Sequence, residues 1–227
     1  MRLRILAVDD DPISLEMFQS AVKLLGYDVV TFSDSREAAL RVTTEKFDMV
    51  ATDIFMPHID GFELAERVRR SRSNHAVPIL MFTSSEEIET MRKGYAAGVT
   101  FFITKPLSAV KLRGLFGAAR GLMVKERRRY ARLPLRSEVR CQLGAKRFTV
   151  HSLNVAQGGM LLESCGGLSE GEIVEVQFAL PGTGELLVLM GRVVRKEQSG
   201  IAALQFISGE ASGQAALQRY IQGMVPL

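Results

Sequence analysis

Five short apolar runs, each trailed by a longer amphipathic stretch, fill the first 124 residues and narrow the folds open to that part of the chain. The runs are Leu3 to Val8, Tyr27 to Phe32, Phe47 to Thr52, Val77 to Thr83 and Thr100 to Thr104. Helical spacing predicts helices at about Pro12 to Leu25, Ser35 to Glu45, Gly61 to Arg70, Glu86 to Ala97 and Ser108 to Val124. Strands that are apolar throughout need cover on both faces, and helices alternating with them supply it. The expected fold of this half is therefore α/β, a five-stranded parallel sheet between two helical layers.

From Arg136 onward the period changes. The runs EVRCQL, RFTVHSL, GMLLES, EIVEVQFAL, ELLVLMGRVVRKE and GIAALQF are separated by turn signals such as Gly166-Gly167, Pro181-Gly182 and Ser199-Gly200. Strands at that spacing predict a small antiparallel barrel or sandwich. A last segment, about Ala211 to Met224, spaces Ala215, Leu217, Tyr220, Ile221 and Met224 as one face of a closing helix. The boundary falls where apolar helical periodicity gives way to charge, near Lys125 to Arg128. That predicts domains at 1–124 and 125–227, with 125–132 as an arginine-rich linker.

A length of 227 residues accommodates two such domains, and 47% hydrophobic with 24% charged residues argues against wholesale disorder. The net charge of +4 is small but concentrated, because Arg120, Lys125, Arg127, Arg128, Arg129, Arg132, Arg136 and Arg140 face only Glu126 and Glu138. Such a cluster reads as a phosphate-binding patch or a solvated linker. Cys141 and Cys165 lie outside any CxxC pattern, so two free thiols in a reducing cytoplasm are expected. His58, His75 and His151 lack zinc-ligand spacing, and no apolar run approaches the ~20 residues that span a bilayer. A cytoplasmic protein without membrane insertion is the expectation.

Ligands of open α/β sheets bind at the carboxyl ends of the strands. There the chain places Asp9, Asp10 and Asp11 after the first strand, Asp53 after the third, Thr83 with Ser84 after the fourth, and Lys105 with Pro106 after the fifth. Any one of these acids alone reads as a loop or cap residue, and Asp11 before Pro12 reads as a helix N-cap. Together they form a rim of carboxylates that repel one another unless a cation neutralises them. Mg²⁺ fits an all-oxygen set, and a neutralised carboxylate can serve as nucleophile toward an activated phosphoryl group. Lys105 and the Thr83 hydroxyl would compensate the roughly −2 charge that arrives.

The segments VDDD (8 to 11), TDIFMPHIDG (52 to 61), FTSS (82 to 85) and FITKP (102 to 106) resemble the signature of response-regulator receiver domains. The resemblance covers roughly the first 124 residues. It implies a doubly wound sheet in the strand order 2-1-3-4-5, with Asp53 as phosphoacceptor. It also implies that Asp9, Asp10, Asp53 and the backbone carbonyl of Phe55 hold Mg²⁺, that Thr83 and Lys105 contact the phosphoryl group, and that Met56, Pro57 and Gly61 shape the loop after the acceptor. A sensor histidine kinase or phosphotransfer protein would supply the phosphoryl group. At the aromatic switch position the family often has tyrosine, whereas this chain has Phe102.

Residues 126 to 135 read ERRRYARLPL. Arginine presents paired donors that match phosphate oxygens and the O6/N7 edge of guanine, so Arg128 and Arg132, expected in an extended or turning segment, can grip one ligand from two positions. Downstream, Asn154 offers both donor and acceptor, and Gly158 and Gly159 let a backbone approach closely. Each signal alone is weak. Ahead of a β-rich region ending GRVVRKE and GIAALQF, the combination resembles the PilZ family, whose RxxxR and (D/N)xSxxG motifs bind cyclic di-GMP. The corresponding residues are Arg128, Arg132, Asn154, Ala156 and Gly159, with Ala156 replacing the usual serine.

The reading that joins both halves is a phosphorylated regulator whose small PilZ-like β-barrel, with its C-terminal helix, binds cyclic di-GMP and passes the signal to a downstream protein target. Ala156 supports an alternative, a phosphorylation-controlled interaction module with a barrel that binds no nucleotide. The arginine cluster also suggests DNA, but no helix-turn-helix pattern follows residue 124, and no separate catalytic triad argues for a metabolic enzyme.

Overall fold

The computed structural model describes residues 2–84, 87–163 and 165–224. Ser85 of the FTSS segment, Glu86 at the expected start of a helix, and residues 225–227 of the expected second domain lie outside the described residues. The chain divides into two compact units, Met1–Arg127 and Arg128–Leu227.

In the first unit strands and helices alternate: β1 (Arg4–Val8), α1 (Pro12–Leu24), β2 (Asp28–Phe32), α2 (Ser35–Thr44), β3 (Met49–Asp53), α3 (Gly61–Arg70), β4 (Ile79–Thr83), α4 (Ile88–Ala96), β5 (Phe101–Thr104) and α5 (Ala109–Tyr130). All pairings in this sheet are parallel, and the strand order is β2-β1-β3-β4-β5, as the sequence resemblance implied. Successive side chains of a strand point to opposite faces, and the sheet accordingly builds two cores. Ile5 and Ala7 join Phe18 of α1 and Phe116 of α5, with the Phe18 and Phe82 rings 5.1 Å apart. Leu6 and Val8 join Val42 of α2 with Leu64 and Val68 of α3.

Three of the boundaries that differ from the sequence expectation in the first unit have a visible physical reason. The runs beginning at Phe47 and Val77 enter their strands two residues later, at Met49 and Ile79. Asn74 accounts for both, since its Oδ1 accepts the Phe47 N–H at 2.9 Å and its carbonyl accepts the Val77 N–H at 3.2 Å. Helix α5 continues through the arginine run to Tyr130 and does not end at Val124, so Arg128 is helical rather than extended. Lys, Glu and Arg are strong helix formers, and the helix needs no apolar periodicity to continue through them.

The second unit contains β6 (Leu133–Pro134), β7 (Glu138–Leu143), β8 (Lys146–Ala156), β9 (Gly159–Glu163), β10 (Ile173–Ala179), β11 (Leu186–Lys196), β12 (Ala202–Gly209) and α6 (Ala211–Met224). The antiparallel order β8-β7-β10-β11-β12-β9 closes into a barrel through β8–β9 pairing, while β6 adds a short bridge to β8. Closure removes the exposed edges an open sheet would carry. Inward residues such as Val139, Val176, Phe178, Leu189 and Leu204 form the core, which Ala216, Leu217 and Ile221 of α6 join.

Cys141 and Cys165 are free and buried in that core. Burial pushes the Cys141 thiol up to about 12, and Cys165, raised by its own burial, adds to the effect. The thiolate fraction at neutral pH is then about a thousandfold below that of an ordinary cysteine. Both thiols should therefore resist an aromatic disulfide reagent in the native protein and react together once it is denatured. Rapid native labelling of either would contradict this packing.

Candidate functional site

At the carboxyl ends of the parallel strands, Asp9 and Asp53 are almost fully buried and share one cation. Lys105 Nζ lies 2.9 Å from Asp9 Oδ2 and 2.5 Å from Asp53 Oδ1. The other oxygens are also held: Asp9 Oδ1 accepts the Asp11 N–H at 3.0 Å, and Asp53 Oδ2 accepts the Phe55 N–H at 2.8 Å. Burial raises the Asp9 pKa, and the Asp53 charge adds to it, while Lys105 and the Asp11 N–H pull the other way. For Lys105, burial acts downward, but its bonds to Asp53 and Asp9 outweigh it and leave the ammonium raised.

Asp10 is exposed beside this pair, and one oxygen from each of Asp9, Asp10 and Asp53 falls within 4.8 Å of the others. Three carboxylates against a single ammonium leave an excess of negative charge on an all-oxygen donor set. That set fits a hard divalent ion such as Mg²⁺. Thr83, buried to 1% exposure, ends β4 opposite Thr104 of β5, which places it at the same rim. Asp11 stands apart from the acidic group, because its carboxylate caps α1 by accepting the Ile13 and Ser14 N–H groups at 3.1 and 3.3 Å.

The loop after Asp53 is fixed by Ser35, whose part the motif did not reveal, and by Gly61, which the resemblance implied shapes it. Ser35 Oγ donates to the Pro57 carbonyl at 2.7 Å and accepts the Ile59 N–H at 3.2 Å, tying the start of α2 to that loop. Gly61 begins α3 against the acceptor strand, and a Cβ there would stand 2.1 Å from the Asp53 carbonyl oxygen. Gly61→Ala should therefore destabilise the fold by about 2–4 kcal/mol, read from the urea midpoint. An unchanged midpoint would mean that the loop has another packing.

Phe102 on β5 is half-buried. Its ring lies over Gly94 of α4, where a Cβ would meet it at 2.4 Å, and the Tyr95 ring meets it edge-on at 5.2 Å.

In the second unit, the bridge between β6 and β8 brings the two basic-site motifs together. Leu133 pairs with Val155 and Pro134 with Asn154, so Arg132, one residue earlier, lies beside the end of β8 that carries Ala156. Ser152, fully buried, fastens this arrangement: its Oγ donates to the Leu135 carbonyl at 2.7 Å and accepts the Ser137 N–H at 3.0 Å. A lone serine at an inward strand position was the available signal for it. Arg132 is exposed, whereas Arg128 is half-buried on the last turn of α5.

Two atoms of the motifs, Arg128 Nε and Asn154 Oδ1, are buried without a hydrogen-bond partner among the described residues. A buried donor and acceptor left unmade are costly, and a ligand with phosphate oxygens and base-edge donors would satisfy them. Ala156 is buried, at 8% exposure, and pairs with Gly159 across the β8–β9 turn. Gly159 is fixed by the barrel itself, because a Cβ there would stand 2.0 Å from the Leu204 carbonyl oxygen of β12. Its place in the motif has a structural cause independent of any ligand.

Among the described residues no helix is long and apolar enough to cross a membrane. Residues 5–116 match the model of the response regulator receiver domain, and residues 126–223 match that of the PilZ domain. Over 104 residues the chain is 36% identical to the gliding motility regulatory protein of Myxococcus xanthus, covering 46% of this chain and 13% of that one. Over 108 residues it is 35% identical to the alkaline phosphatase synthesis transcriptional regulatory protein PhoP of Bacillus subtilis (strain 168), covering 48% and 44%. The chain thus spans less than half the length of these curated relatives. The chemotaxis protein CheY4 of Vibrio cholerae superposes with a TM-score of 0.51 at 31% identity, covering 52% of this chain and 99% of that one. Sheet order, acidic rim and closed barrel agree with these matches, and the chain carries a response regulator receiver domain followed by a PilZ domain.

Proposed function

We propose that this chain is a two-component response regulator that accepts a phosphoryl group on Asp53 and binds cyclic di-GMP through its PilZ domain. The observation that carries the reading is the sharing of one ammonium, Lys105 Nζ, between the buried carboxylates of Asp9 and Asp53. A sensor histidine kinase or phosphotransfer protein is the donor. An Asp53 carboxylate oxygen attacks phosphorus and forms a new P–O bond, while the P–N bond of the donor's phosphohistidine breaks and its electron pair leaves with the imidazole.

Mg²⁺ held by Asp9, Asp10, Asp53 and the Phe55 carbonyl would neutralise the acids and draw charge from the phosphoryl oxygens. The Phe55 N–H fixes Asp53 Oδ2, which leaves Oδ1 on the Lys105 side to react. Lys105 then follows the arriving negative charge, and the Thr83 hydroxyl at the end of β4 accompanies it.

In the PilZ domain Arg128 and Arg132 grip the dinucleotide, and Asn154 and the backbone at Gly159 complete the contact. Burial of Arg128 Nε and Asn154 Oδ1 without partners supports a ligand there. One observation favours a second reading, a barrel that binds no nucleotide and signals through protein contacts alone: Ala156 presents no hydroxyl and is buried. Calorimetric titration of the intact chain with cyclic di-GMP separates the two. Saturable heat supports the first reading, and its absence in a phosphorylation-competent sample supports the second.

A further inference from the structure

One buried hydroxyl reaches the loop after Asp53 from outside it. Ser35, at the first position of α2, is 2% exposed. The start of the helix does not depend on it, because Asp34 already caps α2 by accepting the Arg36 N–H at 2.8 Å. The Ser35 Oγ bonds the loop instead, donating to the Pro57 carbonyl at 2.7 Å and accepting the Ile59 N–H at 3.2 Å.

Those two bonds close around a turn that its own residues disfavour. The Ile59 N–H also donates to the Pro57 carbonyl at 2.8 Å, which makes a three-residue turn with His58 at its centre, at φ 69°. A residue with a Cβ holds that left-handed conformation only where its surroundings fix it. Ser35 bonds both ends of the turn at once. On the other side of the loop, Asp53 Oδ2 accepts the Phe55 N–H at 2.8 Å. The Phe55 carbonyl, read above as a Mg²⁺ ligand, therefore lies between two tethers, Asp53 before it and Ser35 after it. The Phe55 side chain is 68% exposed and gives that carbonyl little anchorage of its own.

We propose that Ser35 is a positioning residue for Mg²⁺ binding, keeping the Phe55 carbonyl fixed before the ion arrives. The inference rests on the Mg²⁺-assisted phosphoryl reading above. A residue that holds a metal's ligand without touching the metal tunes its affinity, because a ligand that must be ordered on binding weakens the binding. Mg²⁺ demands near-ideal octahedral geometry, which makes it sensitive to a loose carbonyl.

The test uses the intact chain. In calorimetric titration, Ser35→Ala should weaken Mg²⁺ binding by about tenfold. Phosphorylation by acetyl phosphate should then need about tenfold more Mg²⁺ to reach half its maximal rate, while the rate at saturating Mg²⁺ matches that of the unsubstituted chain. A hydroxyl that served the fold alone would lower the urea midpoint and leave both Mg²⁺ values in place. The coupling is also reciprocal, so in the unsubstituted chain Mg²⁺ should slow hydrogen exchange at the Ile59 amide, a reading that depends on no variant. Equal Mg²⁺ affinity in the two chains, or Ile59 exchange indifferent to Mg²⁺, overturns the role of Ser35. So does a lower saturating rate with an unchanged Mg²⁺ requirement. If the unsubstituted chain takes up no Mg²⁺, the metal reading itself fails and the role of Ser35 with it.

Discussion

Asp53→Asn should leave the chain unable to take up phosphate from acetyl phosphate, with the rate lower by about three orders of magnitude or more. The carboxamide is nearly isosteric with the carboxylate but offers no anionic oxygen to attack phosphorus. It also breaks the charge pattern of the site, since Lys105 then faces Asp9 alone at 2.9 Å. Phosphate-affinity electrophoresis of both proteins after incubation with Mg²⁺ and acetyl phosphate reads the difference. Stability provides a control, because Asp53 and Asp9 are like charges in a buried site, and the Asp9 pKa, raised chiefly by burial, is raised further by the Asp53 charge. The substitution should hold or raise the urea midpoint, with a gain of up to about 1 kcal/mol. A phosphorylated band of wild-type intensity in the variant would place the acceptor elsewhere.

Arg128→Ala and Arg132→Ala should each weaken cyclic di-GMP binding by about 2–4 kcal/mol, or about 30- to 1,000-fold. The two arginines reach their positions differently. Arg128 is presented by the end of α5 with a buried, unpaired Nε, while Arg132 is exposed and lies one residue ahead of the β6–β8 bridge. Arg128 is half-buried where Arg132 is exposed, so its loss should be at the larger end of the range. Ala156→Ser in the same titration should tighten binding by up to about tenfold, the value of one hydrogen bond of about 0.5–1.5 kcal/mol. Calorimetry at fixed salt checks all three. Equal affinity in both arginine variants and the unsubstituted chain would move the ligand away from the motif.

The parallel half was readable because its chemistry sits where the pattern ends: Asp9, Asp53, Thr83 and Lys105 follow apolar runs whose direction is forced by alternation with helices. The structure brings Asp9, Asp53 and Lys105 into direct contact. What the pattern could not reveal depends on close tertiary approach. The motifs marked Gly61 and Gly159 but not the contacts that require glycine there: the Asp53 and Leu204 carbonyl oxygens lie 2.1 and 2.0 Å from where their Cβ atoms would be. Ser152 looks like one polar residue in a strand until Leu135 and Ser137 are bonded to it. The end of α5 was hidden for another reason. Residues 125–130 have no apolar stripe, and the helix continues through them on the strong helix propensity of Lys, Glu and Arg. Apolar periodicity detects only the helices that are held by apolar contacts.

The acidic rim is the claim on which most of this account depends, and trapping the acyl phosphate tests it most directly. The intact chain is incubated with acetyl phosphate in Mg²⁺ or in a chelator, reduced with borohydride and mapped by peptide mass spectrometry. The account predicts reduction at Asp53 alone, and only with Mg²⁺ present. Reduction at another acid, or equal trapping in the chelator, would contradict it.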